Sequence, residues 1–371
     1  MLSQFRKTRF FLLSLILASL SPMMLNYSKA GQSPVAHQNA NSVQVTDKGR
    51  QPNTDAKKVP VTSLSPYEIA SFIAENPAID LKNTWNQLGI KSVNFGDGRD
   101  SSAEEQGDEI NRFLSKCNNC DVETYSCDLD EEPGKEVLLK VSDLLAESCR
   151  YLIFKQLKQS NGKPEWRVLG HIDHGFSRYR MPEHSIHFDD GRNWLVIKVQ
   201  QGSGSGFAEY DDRLFQVNST GLNEILRFPS EGHVATCCSS PTREFTTQIR
   251  KCEAKNGATM VELEFSVSYS ASSGVEYVDL WKKTQKAIYK KEASSDRLVL
   301  DARNSDLSDK EITAIYAGEG LSDEAFIKYN FEELSKIALG REDSRKGWLR
   351  LYLQEGDKSR GKERLKQLME K

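Results

Sequence analysis

The chain of 371 residues lacks the ~20-residue apolar run that crosses a bilayer as a helix. It also lacks an excess of either charge. Lys and Arg total 50 against 53 for Asp and Glu. No basic surface is on offer to a phosphate backbone, and nucleic acid is excluded as an expected partner. There is no G-x-S-x-G elbow, so a strand-to-helix nucleophile turn is missing. No cysteine precedes Cys117, which leaves no lipid acceptor near the N-terminus. The glycine run Gly202–Gly206 is followed by strand-like FAEYDDRLFQV and not by a helix start. It reads as a hairpin connection and not as a phosphate loop.

The N-terminus has a definite layout. Arg6, Lys7 and Arg9 precede the apolar run Phe10–Leu20, and small residues at Ser28 and Ala30 precede Gly31. This is the pattern of a secretory signal peptide over 1–30. Its removal takes four basic residues and no acid, leaving 46 basic against 53 acidic and a net charge of −7. The expectation is an exported, periplasmic or extracellular protein with no stable membrane span after cleavage. Residues 31–63 are rich in Gln, Asn, Ser, Asp and Lys and read as a disordered spacer.

From there the pattern changes three times. Residues 64–116 read as a small helical region. Ser65 and Pro66 suit a helix start ahead of Ile69, Phe72 and Ile73, and LKNTWNQLGI and EEQGDEINRFLSK continue in that style. Residues 117–303 read as an antiparallel β domain of short β-rich runs separated by Asn161-Gly162, Asp190-Gly191, Asn256-Gly257 and Ser272-Ser273-Gly274. Residues 304–371 read as a helical C-terminal region, with Ser308 and Glu311 at capping-box spacing, Ser322 as a second cap and Gly340 as a stop. The tail from Arg341 carries ten basic and six acidic residues and reads as a solvated helix face. The fold class is therefore β-rich α+β, an antiparallel sandwich or barrel-like domain flanked by helical regions.

The seven cysteines are Cys117, Cys120, Cys127, Cys149, Cys237, Cys238 and Cys252. In an exported chain they are expected as disulfide partners, with one left over. Cys117 and Cys120 have the C-x-x-C spacing of redox proteins, but they do not open a helix whose dipole would acidify a thiol.

Four of the six histidines lie in HIDHGFSRYRMPEHSIH, His171–His187. Pairing Glu165–His174 with His184–Phe188 as a hairpin puts His171 opposite His187 and His174 opposite His184. Trp166, Val168, Ile172 and His174 then share a face, and His184, Ile186 and Phe188 share the matching one. The Asp190-Gly191 turn lines these up with Leu195, Ile197 and Val199, which marks that face as core. His171, Asp173 and His187 fall on the opposite face. Two imidazoles and a carboxylate suit zinc or copper, or a base with an orienting acid. A polar solvent face accounts for the same residues more simply. The sequence thus predicts a non-catalytic binding or structural module with an unidentified protein or small-molecule ligand. The alternative is a metal-dependent hydrolase using His171, Asp173 and His187.

Overall fold

The computed structural model describes residues 61–62, 64–75, 79–80, 116–117, 120–130, 133–143, 148–157, 164–175, 183–189, 192–204, 206–218, 221–235, 240–255, 258–272, 277–292, 295–316, 322–355 and 358–371. The signal peptide, nearly all of the spacer, and the helices expected from LKNTWNQLGI and EEQGDEINRFLSK lie outside these residues.

Two antiparallel sheets make up most of the fold, and neither closes into a barrel. The first has five strands in the order β1 (Val61–Thr62), β7 (Glu165–Gly175), β6 (Ser148–Leu157), β5 (Glu136–Asp143) and β4 (Cys120–Cys127). The second has eight, running in chain order from β8 (Glu183–Asp189) and β9 (Arg192–Gly204) through β10 (Phe207–Asn218), β11 (Gly221–Val234) and β12 (Thr242–Lys255) to β13 (Ala258–Ser272), β14 (Tyr277–Lys291) and β15 (Leu298–Leu300). A two-stranded ladder joins β2 (Ile79–Asp80) to β3 (Lys116–Cys117). Two expectations about boundaries are corrected by pairing. Val61 and Thr62, placed in the spacer, bond to Arg167 and Trp166, and the region read as wholly helical also contains β2.

The helices cover the outer faces. Helix α1 (Pro66–Glu75) starts on a capping box in which Glu68 N–H donates to Ser65 Oγ and Ser65 N–H to Glu68 Oε2. It buries Ile69 and Ile73 against Val137, Leu139, Leu152, Phe154 and Trp166 of the first sheet. The other face of that sheet, with Leu138, Tyr151, Ile153 and Ile172, meets Leu195, Ile197, Phe215 and Val217 of the second. The outer face of the second sheet packs on α2 (Asp309–Tyr316), α3 (Asp323–Leu339), α4 (Ser344–Gln354) and α5 (Arg360–Met369). The order of layers is helix, sheet, sheet, helices.

Layering explains the sequence patterns. Strand β5 is covered on both sides and every residue of it is buried, the charged Glu136 and Lys140 included. Strand β13 faces helices on one side only and alternates through Val261, Leu263, Phe265, Val267 and Tyr269. Where the sheets cross, Gly170 permits close approach. A Cβ there would stand 2.7 Å from Leu222 Cβ.

The C-terminal caps match expectation. Ser308 and Glu311 exchange the two capping-box bonds, and Ser322 Oγ accepts from Ala325 N. Gly340 caps α3 with φ −71° and ψ 177°, an extended geometry and not a left-handed one. The tail's charged residues from Arg341 are mostly exposed, as a solvated face requires, while its other face closes the core with Trp348, Leu349, Tyr352 and Leu365 buried. Lys362 is buried too, its ammonium 4.7 Å from the Tyr352 ring centre and bonded to Asp323. Among the described residues no helix is long and apolar enough to cross a membrane.

Candidate functional site

The structure does not form the hairpin that was to juxtapose His171 and His187. Strand β7 pairs with β6 along its length and with β1 at Trp166 and Arg167, while β8 pairs with β9 in the other sheet. His171 lies opposite Leu152, on the α1 side of the first sheet. His187 lies opposite Trp194, whose ring packs toward the helices on the far side of the second. Directly paired residues share a face. The two imidazoles therefore stand on opposite outer faces of the layered sheets, and the set His171, Asp173, His187 is not brought together.

Within β7, the expected shared face is broken by a bulge. Ile153 pairs with Gly170 but Phe154 pairs with Val168, which leaves Leu169 as an extra residue. Trp166 and Val168 accordingly face α1, whereas Ile172 and His174 face the second sheet. The β8–β9 register is also two residues from the expected one, with Ile186 opposite Leu195 and His184 opposite Ile197. Ile186, expected in the core, is 38 % exposed because β8 is the last strand of its sheet.

His171 and Asp173 do remain neighbours, with Nε2 3.5 Å from Oδ2. The principal partner of Asp173 is Arg150, which donates from Nε at 2.6 Å to Oδ1 and from a terminal nitrogen at 3.1 Å to Oδ2. Both carboxylate oxygens are engaged in a buried bidentate pair. Burial holds the His171 imidazole below its ordinary pKa, and the Arg150 cation adds to this against the pull of Asp173. This favours the neutral ring.

The histidines expected at the core edge, His174 and His184, both pack on one ring, Tyr151. The His174 ring stacks on Tyr151, centroids 5.9 Å apart, and the His184 ring sits edge-on to Tyr151 at 5.6 Å and to Tyr125 at 4.3 Å. This seam lies where β4 and β8, the outermost strands of the two sheets, come together. Tyr151 is fully buried, and its hydroxyl meets no oxygen or nitrogen partner, only the weakly bonding Cys149 thiol beside it. His184 is half-open, and burial lowers its pKa. The seam presents a phenol, an imidazole edge and an aromatic wall. Such a surface can hold a ring and make one or two directional hydrogen bonds.

A second cluster was not singled out from sequence. Asp128, Asp130 and Glu136, at the β4–β5 turn, each offer a ligand atom within 4.8 Å of the others, a metal-ligating spacing met by no other trio among the described residues. The readable signal was the D-x-D of DLDEEPGKE closed by Glu136. Lys155 is bonded to Asp130, and its Nζ lies 3.6 Å from Glu136 Oε1. Glu136 Oε2 accepts the Leu129 N–H at 2.9 Å. Burial first, then the neighbouring Asp130 and Asp128, raise the Glu136 pKa against the Leu129 and Lys155 contributions.

The disulfide expectation is corrected for two cysteines: Cys127 and Cys149 are in no disulfide. Both lie on strands facing the space between the sheets, where the thiol packs as an apolar group. Burial pushes each up to about 12, far from thiolate reactivity.

Fold and seam together define a layered, two-sheet antiparallel β protein with an aromatic–imidazole seam between its sheets. Compared with known proteins, the chain matches no family model, no curated protein and no solved structure.

Proposed function

We propose that the chain is an exported, non-catalytic module that binds a small ligand at the seam between its sheets. One observation carries this reading: the buried Tyr151 hydroxyl meets no oxygen or nitrogen partner and has the weak Cys149 thiol beside it, next to the half-open His184 ring and Tyr125. An unsatisfied buried hydroxyl costs roughly 1–3 kcal/mol, and a ligand polar group reaching it would remove that cost. The hydrolase alternative needed His171, Asp173 and His187 to converge, and the strand assignments separate them. The layout of residues 1–30 supports export.

The binding reading is tested by saturation-transfer NMR on the secreted chain against a set of aromatic, sugar and peptide fragments. Fragments should bind the wild type and lose their signal in Tyr151→Phe and His184→Ala. Hits that persist unchanged in both variants, or no hits at all, would remove the seam as the site. Export is read separately from the intact mass of secreted protein, which should begin at Gly31.

A further inference from the structure

We infer that the β4–β5 turn is a site for a hard divalent cation, calcium above magnesium, held by Asp128, Asp130 and Glu136. The grouping of carboxylates is only the first reason. The second is Glu136 Oε1, an oxygen on a fully buried side chain that has no hydrogen-bond partner. Its nearest cation is Lys155, at 3.6 Å, outside hydrogen-bond range, and that ammonium is bonded to Asp130. A carboxylate oxygen buried without a donor is expensive to maintain. A metal ion bound there supplies the missing bond.

Charge and donor type select the class of ion. Three carboxylates gather at the turn with the Lys155 ammonium against two of them, a donor set that favours a cation. The cluster offers oxygen and no imidazole, which suits calcium or magnesium and not zinc or copper. Glu136 and Asp130 are held at fixed depth by the strand and by Lys155, while Asp128 is exposed and opens a path to solvent. Magnesium demands near-ideal octahedral geometry and dehydrates reluctantly, whereas calcium tolerates an irregular shell completed by water.

The site is independent of the seam, so either can fail alone. Calorimetric titration of the metal-free full chain with calcium chloride, at matched ionic strength, should give one saturable site with a Kd on the order of 10⁻⁴–10⁻³ M. Magnesium should bind at least about tenfold more weakly. Asp128→Asn alters an exposed side chain that can be changed without disturbing the core, and it should weaken calcium binding by about tenfold or more. Glu136→Gln keeps an acceptor for the Leu129 N–H and should abolish binding. Absence of a saturable calcium site in the wild type overturns the inference. So does calcium binding that is equally tight in a folded Asp128→Asn variant.

Discussion

At the scale of single residues, charge placed under cover decides the energetics. Arg150 and Asp173 pair face to face with almost no solvent contact. Asp173→Asn leaves the guanidinium buried without a counter-charge, and such a break costs about 3–5 kcal/mol. Urea unfolding should show that loss, and the double variant Arg150→Met with Asp173→Leu should recover most of it. A double variant as unstable as the single one would mean that the site needs the ions themselves. The same logic applies to Cys149, whose thiol is buried and pushed up to about 12. Alkylation followed by peptide mass spectrometry should leave Cys149 unmodified in the native protein and modify it in denaturant. Fast native labelling would contradict its burial. Part of this was legible in sequence: His171 and Asp173 were placed on one face and lie 3.5 Å apart, but that face was read as solvent and Asp173 is buried. Arg150 was not, because it comes from 23 residues away on a neighbouring strand and no local pattern announces it.

At the scale of elements, the local signals held where the physics is local. Ser65, Ser308 and Ser322 cap helices because a hydroxyl satisfies a free N–H within the same turn. Alternation in β13 reports one covered face, while burial of every residue of β5 comes from cover on both faces. Ile73, buried on α1, is the contact that holds the helix to the first sheet, so Ile73→Ala should cost about 2–5 kcal/mol. Gly170→Ala drives a methyl into Leu222 and should cost about 1–3 kcal/mol through overpacking. Both are read from denaturation midpoints, and a neutral Gly170→Ala would show that the sheets can separate there. The β7 bulge was not legible, since a single extra residue at Leu169 leaves the apolar count unchanged while moving Ile172 to the other side. The pairing of β7 with β8 failed for a related reason. Sequence neighbours usually pair, but here the chain crosses from one sheet to the other between them.

At the scale of the whole molecule, stacking four layers buries titratable groups of both signs, and stability becomes a function of pH. His171 and His184 are held below the ordinary 6.5 by burial. Their neutral forms belong to the folded state, so their contribution is complete above 6.5 and is lost as pH falls through the lower folded-state value. His184→Asn should flatten the acid limb of a thermal-melt profile, and an unchanged limb would relieve His184 of that role. Asp211 works in the opposite sense. Burial raises it to about 6 despite the nearby Arg227, so its contribution is complete below 3.8 and is lost as pH rises through about 6. Asp211→Asn should therefore gain on the wild type as pH climbs through that window. The amino-acid sequence alone determined the class of the fold, the run of strands between helical ends and the helix caps, because these rest on periodicity and on hydrogen bonds a few residues long. Only the tertiary structure decided which strands share a sheet, which faces meet, and that the carboxylates of the β4–β5 turn gather around an oxygen without a donor. Those outcomes depend on contacts between distant segments, and a strand edge carries no label in the sequence saying which other edge it will take.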